Sequence, residues 1–245
     1  MRYSDCIFDL YGTLVDIRTD EEMPSLWEKT ADLYRRHGAE YEASELYSAY
    51  LRLVREMEKA DSLLRKDAHE AHPEIPIEKV FQRLYEEKGA ICDRELAIET
   101  GMAFRSCSLL YIRLYPYVKE LLTNLRQNGL RVWLLSNAQA IFTRYELQLL
   151  GIDDCFDGIY LSSDYGCKKP DPAFFRILLD ERHIAAETAV MIGNDGSCDI
   201  RGARDLGIST IYIRSNISPI EDLPDADLVL EEMDLKAVEQ WLLVH

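Results

Sequence analysis

At 245 residues the chain is long enough for one large domain, or for a core carrying a smaller insertion, with a sizeable apolar interior. Apolar residues make up 47% and charged residues 29%, which excludes a disordered chain, and 44 acidic against 28 basic side chains leave a formal charge of −16. That charge repels phosphodiester backbones and anionic lipid, so no nucleic acid and no membrane surface is expected as a general partner; a small anionic substrate stays open where a few cations converge.

The first apolar run, Cys6 to Phe8, ends in Asp9 and predicts a buried strand. From about Arg18 to Arg113 the chain carries long amphipathic patterns such as EASELYSAYLRLVREMEKADSLLRK and IEKVFQRLYEEKG, and no strand is expected there. We read this segment as a helical insertion, its leucines and aromatics forming a bundle core, with Pro116 marking the return. Strand and helix then alternate. Strands are predicted at Val132 to Leu135, around Ile159 to Leu161, at Ala189 to Ile192 and at Thr210 to Ile213. Helices are predicted at Val118 to Gln127 before Gly129, Ile141 to Leu150 before Gly151, Pro172 to Leu179, and Asp199 to Leu206 before Gly207. The alternation predicts an α/β fold, a doubly wound parallel sheet, at 1–16 and 114–245, interrupted by a helical unit at 17–113.

The six cysteines show no CxxC pair and no histidines at zinc-finger spacing, so reduced, mostly buried thiols are expected. The N-terminus MRYSDCIFDLYG has no long apolar signal region, and no 18-residue apolar run occurs, which predicts a cytoplasmic, unexported protein. HExxH, GxxxxGK[ST] and GxSxG are all absent, which argues against a zinc hydrolase, a nucleotide-driven motor and a serine triad.

Ligands of parallel α/β sheets bind beyond the carboxyl ends of the strands. Polar residues follow or neighbour the apolar runs at Asp9, at Ser136 and Asn137, at Lys169, and at Asn194, Asp195 and Asp199. Their convergence would assemble a nucleophile, hydroxyl and amide donors, a cation and further carboxylates, a set suited to displacement at an electron-poor centre.

The order DLYGT, SN, KP and GNDGSCDIRGA resembles the haloacid dehalogenase superfamily of aspartate-nucleophile hydrolases. The likeness covers about Met1 to Asp16 and Leu114 to His245, a Rossmann-like core, and the insertion sits where that family carries its cap domain. The resemblance implies that Asp9 attacks and gives a covalent intermediate that water cleaves. Thr13, Ser136 and the amides near Leu10, Tyr11 and Asn137 would hold substrate oxygens. Lys169, which precedes Pro170 and is favoured over Lys168, would balance charge. Magnesium would be held by Asp9, the Tyr11 carbonyl and Asp195, with Asp199 behind them orienting bound water or Lys169, and Asn194 standing where the family usually has glycine.

Tyr11 departs from that pattern. Most phosphatases of the superfamily read DxDGT, where the second aspartate protonates the leaving group; a phenol titrating near ~10 is a poor base at neutral pH. DxYGT resembles the 2-haloacid dehalogenases, whose halide needs no proton, but those enzymes work without metal, have neutral side chains where Asp195 stands, and carry a tyrosine at the position of Phe175. Arg18, Arg35 and Arg36 are the candidates for their cap arginine. Phosphonoacetaldehyde hydrolase, which uses a cap lysine, would require one of Lys29, Lys59, Lys66, Lys79 or Lys88. The acidic fourth motif favours magnesium-dependent hydrolysis of a small phosphorylated metabolite; carbon–halogen hydrolysis and a non-catalytic binding member are the alternatives. A homodimer is compatible with the apolar residues of either unit.

Overall fold

The computed structural model describes residues 2–64, 74–222 and 224–244. Strand β1 (Asp5–Phe8) and strand β2 (Val15–Thr19) precede four helices, α1 (Pro24–Arg36), α2 (Ala43–Leu64), α3 (Glu78–Glu87) and α4 (Arg94–Ser108), the last running directly into β3 (Leu109–Leu114). Alternation then sets in with α5 (Val118–Gln127), β4 (Arg131–Ser136), α6 (Ala140–Leu150), β5 (Gly158–Leu161), α7 (Ser162–Tyr165), α8 (Pro172–Arg182) and β6 (Ala189–Gly193). A π-type turn at Gly196–Arg201 continues into α9 (Gly202–Arg204), followed by β7 (Ser209–Ile213), β8 (Leu228–Leu230) and α10 (Leu235–Val244).

Six strands form one parallel sheet in the order β5-β4-β1-β6-β7-β8. The chain starts at the centre, builds outward through β4 and β5, then returns to the other side of β1 with β6. This makes the carboxyl end of β1, between β4 and β6, the topological switch point where a crevice opens.

Burial on both faces explains why these strands read as uninterrupted apolar runs. Cys6, Phe8, Val132, Leu134, Val190 and Ile192 pack on the face covered by α5 and α10. Their neighbours Ile7, Trp133, Leu135, Ala189 and Met191 pack on the opposite face with Phe174, Phe175 and Leu178 of α8.

The four helices after β2 bury a separate core of Trp27, Tyr34, Tyr50, Phe81, Tyr85 and Phe104 with aliphatic partners, as their periodicity predicts. The buried phenols find acceptors: Tyr34 donates to the Phe81 carbonyl at 2.9 Å and Tyr41 to the Leu84 carbonyl at 2.7 Å.

Three elements correct the sequence reading. The insertion is not free of strand: β2 and β3 pair antiparallel, so the expected limits at 16/17 and 113/114 fall inside one ribbon. Charged residues hid it, because Asp16 on β2 faces Arg113 on β3 and accepts its guanidinium at 2.7 and 2.9 Å. Secondly, the pattern placed at Asp199 to Leu206 winds from Gly196, capped by the Asp195 side chain. Thirdly, α8 runs past Leu179 to Arg182 and stops at His183 with φ 52°, not at a glycine; β8 and α10 were not anticipated. None of the six cysteines, all among the described residues, is in a disulfide, and three of them are buried. No helix among the described residues is long and apolar enough to cross a membrane.

Candidate active site

Asp9 stands one residue beyond β1, where its N–H donates to the Ile192 carbonyl of β6 at 2.9 Å. The loop then turns sharply: the Leu10 carbonyl accepts the N–H groups of Thr13, Leu14 and Val15. Gly12 makes this turn at φ +88°, where a Cβ would come within 2.4 Å of Asn194 Nδ2. The turn carries Thr13 back toward Asp9, its hydroxyl 3.4 Å from Asp9 Oδ2 and 3.2 Å from Asn194 Oδ1.

Two neighbours hold the other Asp9 oxygen. Ser136, the last residue of β4, donates to Oδ1 at 3.2 Å, and Lys169 Nζ lies 2.7 Å from the same atom. The ammonium also reaches Asp199 Oδ1 at 2.7 Å and the Leu135 carbonyl at 2.8 Å, so its three N–H donors are all engaged. Lys169 is only 2% exposed. Burial alone would lower its pKa, but the Asp199 and Asp9 carboxylates outweigh that and raise it, keeping the ammonium charged. For Asp199 burial pushes the carboxyl up and Lys169 partly offsets it, with a net rise.

Asp199 also accepts the N–H groups of Asn194 and Asp195 at 3.1 Å each, which fixes the loop after β6. Asn137 has a similar duty. Its side-chain amide donates to the Lys169 carbonyl at 2.9 Å and accepts the Lys169 N–H at 2.8 Å, so it clamps the lysine from the backbone side. Asp195 uses Oδ1 to accept the Ser197 and Cys198 N–H groups at 2.9 and 2.7 Å, while Oδ2 has no hydrogen bond among the described residues.

A cavity of ≈ 210 Å³ opens over this cluster, lined by Asp9, Ser136, Lys169, Asn194, Asp195 and Asp199 among others. Of the motif residues, Asp9, Tyr11, Ser136, Asn137, Lys169, Asn194, Asp195 and Asp199 all line it, while Thr13 lies behind Asp9. The charges on its wall are three carboxylates and one ammonium, so the cavity carries an excess of negative charge.

Tyr11 is where geometry and expectation part. Tyr11 lines this cavity, but its hydroxyl goes to Glu146 Oε2 at 2.5 Å and lies 2.9 Å from the Thr143 hydroxyl. Burial first, and then the Glu146 carboxylate, raise its pKa, so the phenol holds its proton and offers no base. Tyr11, Asn137 and Ile217 also border a second cavity of ≈ 530 Å³ between the core and the helical unit. Arg105, Glu146, Thr143, Gln139 and Ile217 thus shape the surroundings of the site without carrying any motif in the sequence; no spacing could have found them.

Of the cap-arginine candidates, Arg18 lines the larger cavity, whereas Arg35 pairs with Asp32 and Glu40 at the surface and Arg36 is exposed. Lys29, Lys59, Lys79 and Lys88 line neither cavity, and Lys66 lies outside the described residues. Phe175 is fully buried in the core against α9 and lines neither cavity.

A doubly wound sheet with a polar, charge-rich crevice at its switch point, beside a helical insertion, defines an α/β protein of the Rossmann-like class with a ligand crevice at the carboxyl ends of its strands. More narrowly, the chain belongs to the haloacid dehalogenase-like hydrolases, whose family model matches residues 6–207. A phosphoserine phosphatase of Thermus thermophilus is 34% identical over 66% of the chain and 63% of its own length, so the match spans somewhat under two thirds of that relative. A glyceraldehyde 3-phosphate phosphatase of Pyrococcus abyssi is 25% identical over 84% of the chain and 79% of its own length. Among solved structures, a 2-haloacid dehalogenase from Pseudomonas syringae pv. Tomato DC3000 shares the fold with a TM-score of 0.67 at 22% identity, covering 99% of both chains.

Proposed function

We infer that the protein is a magnesium-dependent hydrolase of a small phosphorylated metabolite, with Asp9 as nucleophile. The observation that carries this reading is the Asp9–Lys169–Asp199 chain at the switch point, with Asp195 opening into the same cavity. Two carboxylate oxygens are left for a divalent cation, Asp9 Oδ2 with only a 3.4 Å contact and Asp195 Oδ2, which is unpaired among the described residues; no group of three carboxylate, thiol or imidazole side chains among the described residues stands ready to hold a metal, so the main-chain carbonyl and substrate oxygens would have to complete the set. These are hard oxygen donors of the kind magnesium takes. Asp9, Asp195 and the Tyr11 carbonyl would hold it, and when bound it would supply charge neutralisation for an incoming phosphoryl group.

Lys169 and Ser136 anchor Asp9 Oδ1 and so orient the carboxylate. The carboxylate attacks phosphorus, the bond to the leaving group breaks with its electron pair staying on the departing oxygen, and an acyl phosphate forms on Asp9. Water then cleaves that intermediate, releasing phosphate and regenerating the carboxylate. With the Tyr11 proton donated to Glu146, the side chain in the acid position does not offer it to a leaving group, so substrates with stable leaving groups are favoured. The same observation favours carbon–halogen hydrolysis as the second reading.

Two measurements test this. Calorimetric titration of magnesium should show binding that Asp195→Ala abolishes, and acetyl phosphate should be hydrolysed by the wild type but not by Asp9→Asn. Hydrolysis of 2-chloropropionate without metal, in place of acetyl phosphate, would transfer the assignment to the second reading. Binding without any turnover would favour a non-catalytic role.

A further inference from the structure

Glu146, on core helix α6, is 3% exposed and serves two parts of the molecule at once. Arg105, on α4 of the helical unit, donates Nε to Oε1 at 2.7 Å and Nη2 to Oε2 at 3.4 Å. Tyr11, two residues beyond Asp9, donates its phenol to Oε2. The Thr143 hydroxyl, one turn earlier on α6, lies 2.9 Å from that phenol and 3.0 Å from the Gln139 carbonyl, so its single proton serves one of the two. Arg105 and Tyr11 both line the 530 Å³ cavity, while Glu146 stands behind them and lines neither this cavity nor the one over Asp9.

A second tie crosses the same boundary. Gln139, immediately before α6, accepts the Ile77 N–H at 2.9 Å and donates to the Ile75 carbonyl at 3.0 Å. The segment from Gln139 to Glu146 therefore grips the helical unit at two places, and at Glu146 it grips the nucleophile loop as well.

We propose that Glu146 is a positioning residue that fixes Tyr11 and Arg105 as one rigid wall of the larger cavity, and that this wall selects the leaving group of the substrate. The proposal rests on the reading of Asp9 as a nucleophile toward phosphoryl groups. The physical case is that a buried carboxylate requires strong donors, and Arg105 and Tyr11 supply them from opposite sides of the cavity's seam. Losing either frees a side chain of the wall. Aromatic and aliphatic neighbours, Tyr50, Phe142, Ile17 and Ile77, complete a chamber suited to an organic group larger than a methyl.

The experiment compares acetyl phosphate, whose leaving group is too small to span the chamber, with p-nitrophenyl phosphate, whose ring enters it. Wild type, Glu146→Gln, Tyr11→Phe and the double variant are assayed for kcat and KM on both. Tyr11→Phe removes only a hydroxyl and retains the ring, which guards against loss of the fold. The ratio of kcat/KM for p-nitrophenyl phosphate to that for acetyl phosphate should fall roughly tenfold in each single variant, the loss typical of one hydrogen bond to a charged group. The fall should sit in KM, and the double variant should be no worse than Glu146→Gln alone. An unchanged ratio, or additive losses shared equally by both substrates, overturns the proposal.

If the wild type hydrolyses neither compound, the phosphatase reading has failed, and the wall is judged by hydrogen exchange. Amides of residues 94–108 should then exchange faster in Glu146→Gln than in the wild type, and equal rates overturn the positioning role.

Discussion

Replacing Lys169 by methionine tests the electrostatics of the site directly. The ammonium satisfies Asp9 Oδ1, Asp199 Oδ1 and the Leu135 carbonyl within 2.8 Å, in a position 2% exposed. Methionine fills similar space but leaves Asp9 and Asp199 buried without a cation, so that Asp199, already pushed up by burial, must take up a proton or repel Asp9. Breaking a buried ion pair by removing one partner costs about 3–5 kcal/mol, because the remaining charge is stranded. At roughly 2–4 °C per kcal/mol for a chain of this length, the melting temperature should fall by roughly 6–20 °C in metal-free buffer at pH 7. Scanning calorimetry reads this. Adding Asp199→Asn to Lys169→Met should recover part of the loss, since one of the two repelling charges is gone. A fall below about 2 °C, or no recovery in the double variant, would refute the claim that Lys169 neutralises these carboxylates.

Tyr11→Asp should act in two directions. It places a carboxyl where the superfamily's acid normally stands, so turnover of phosphate esters with poor leaving groups should rise relative to acetyl phosphate; it also strips Glu146 of its phenol and should cost about 1–3 kcal/mol in urea unfolding. Asp16 supplies the pH dependence. Burial pushes its carboxyl up, but hydrogen bonds from Arg113, Asn216 and Tyr111 outweigh this and hold it below the usual carboxylate range. Its folded pKa is therefore below its unfolded one, so its contribution is present above about pH 4 and disappears as pH falls through the folded value. The difference in melting temperature between wild type and Asp16→Asn should accordingly be largest near neutrality and shrink toward about pH 3.

Much of the core was legible because parallel strands buried on both faces must be apolar throughout, and because chain ends of such strands must carry the polar chemistry. That is why Asp9, Ser136, Lys169, Asp195 and Asp199 stand out in the sequence and are found around one cavity. The β2–β3 ribbon was missed because its pairing uses Asp16 and Arg113, and a cross-strand ion pair looks like solvated surface in one dimension. The Asn137 side chain is spent on the Lys169 backbone, a tie between two loops that no motif spacing encodes.

What the amino-acid order alone determined is the sheet, the helical insertion and the identity of the residues at the strand ends, since local periodicity and motif spacing encode those. Where the Tyr11 hydroxyl goes was decided only by tertiary structure. Glu146 lies 135 residues along the chain from Tyr11, and Arg105 41 residues before Glu146. No local rule links three side chains from a loop and two helices. They meet because folding excludes water from the seam between core and insertion, and a carboxylate buried there must take its donors from whatever packs against it.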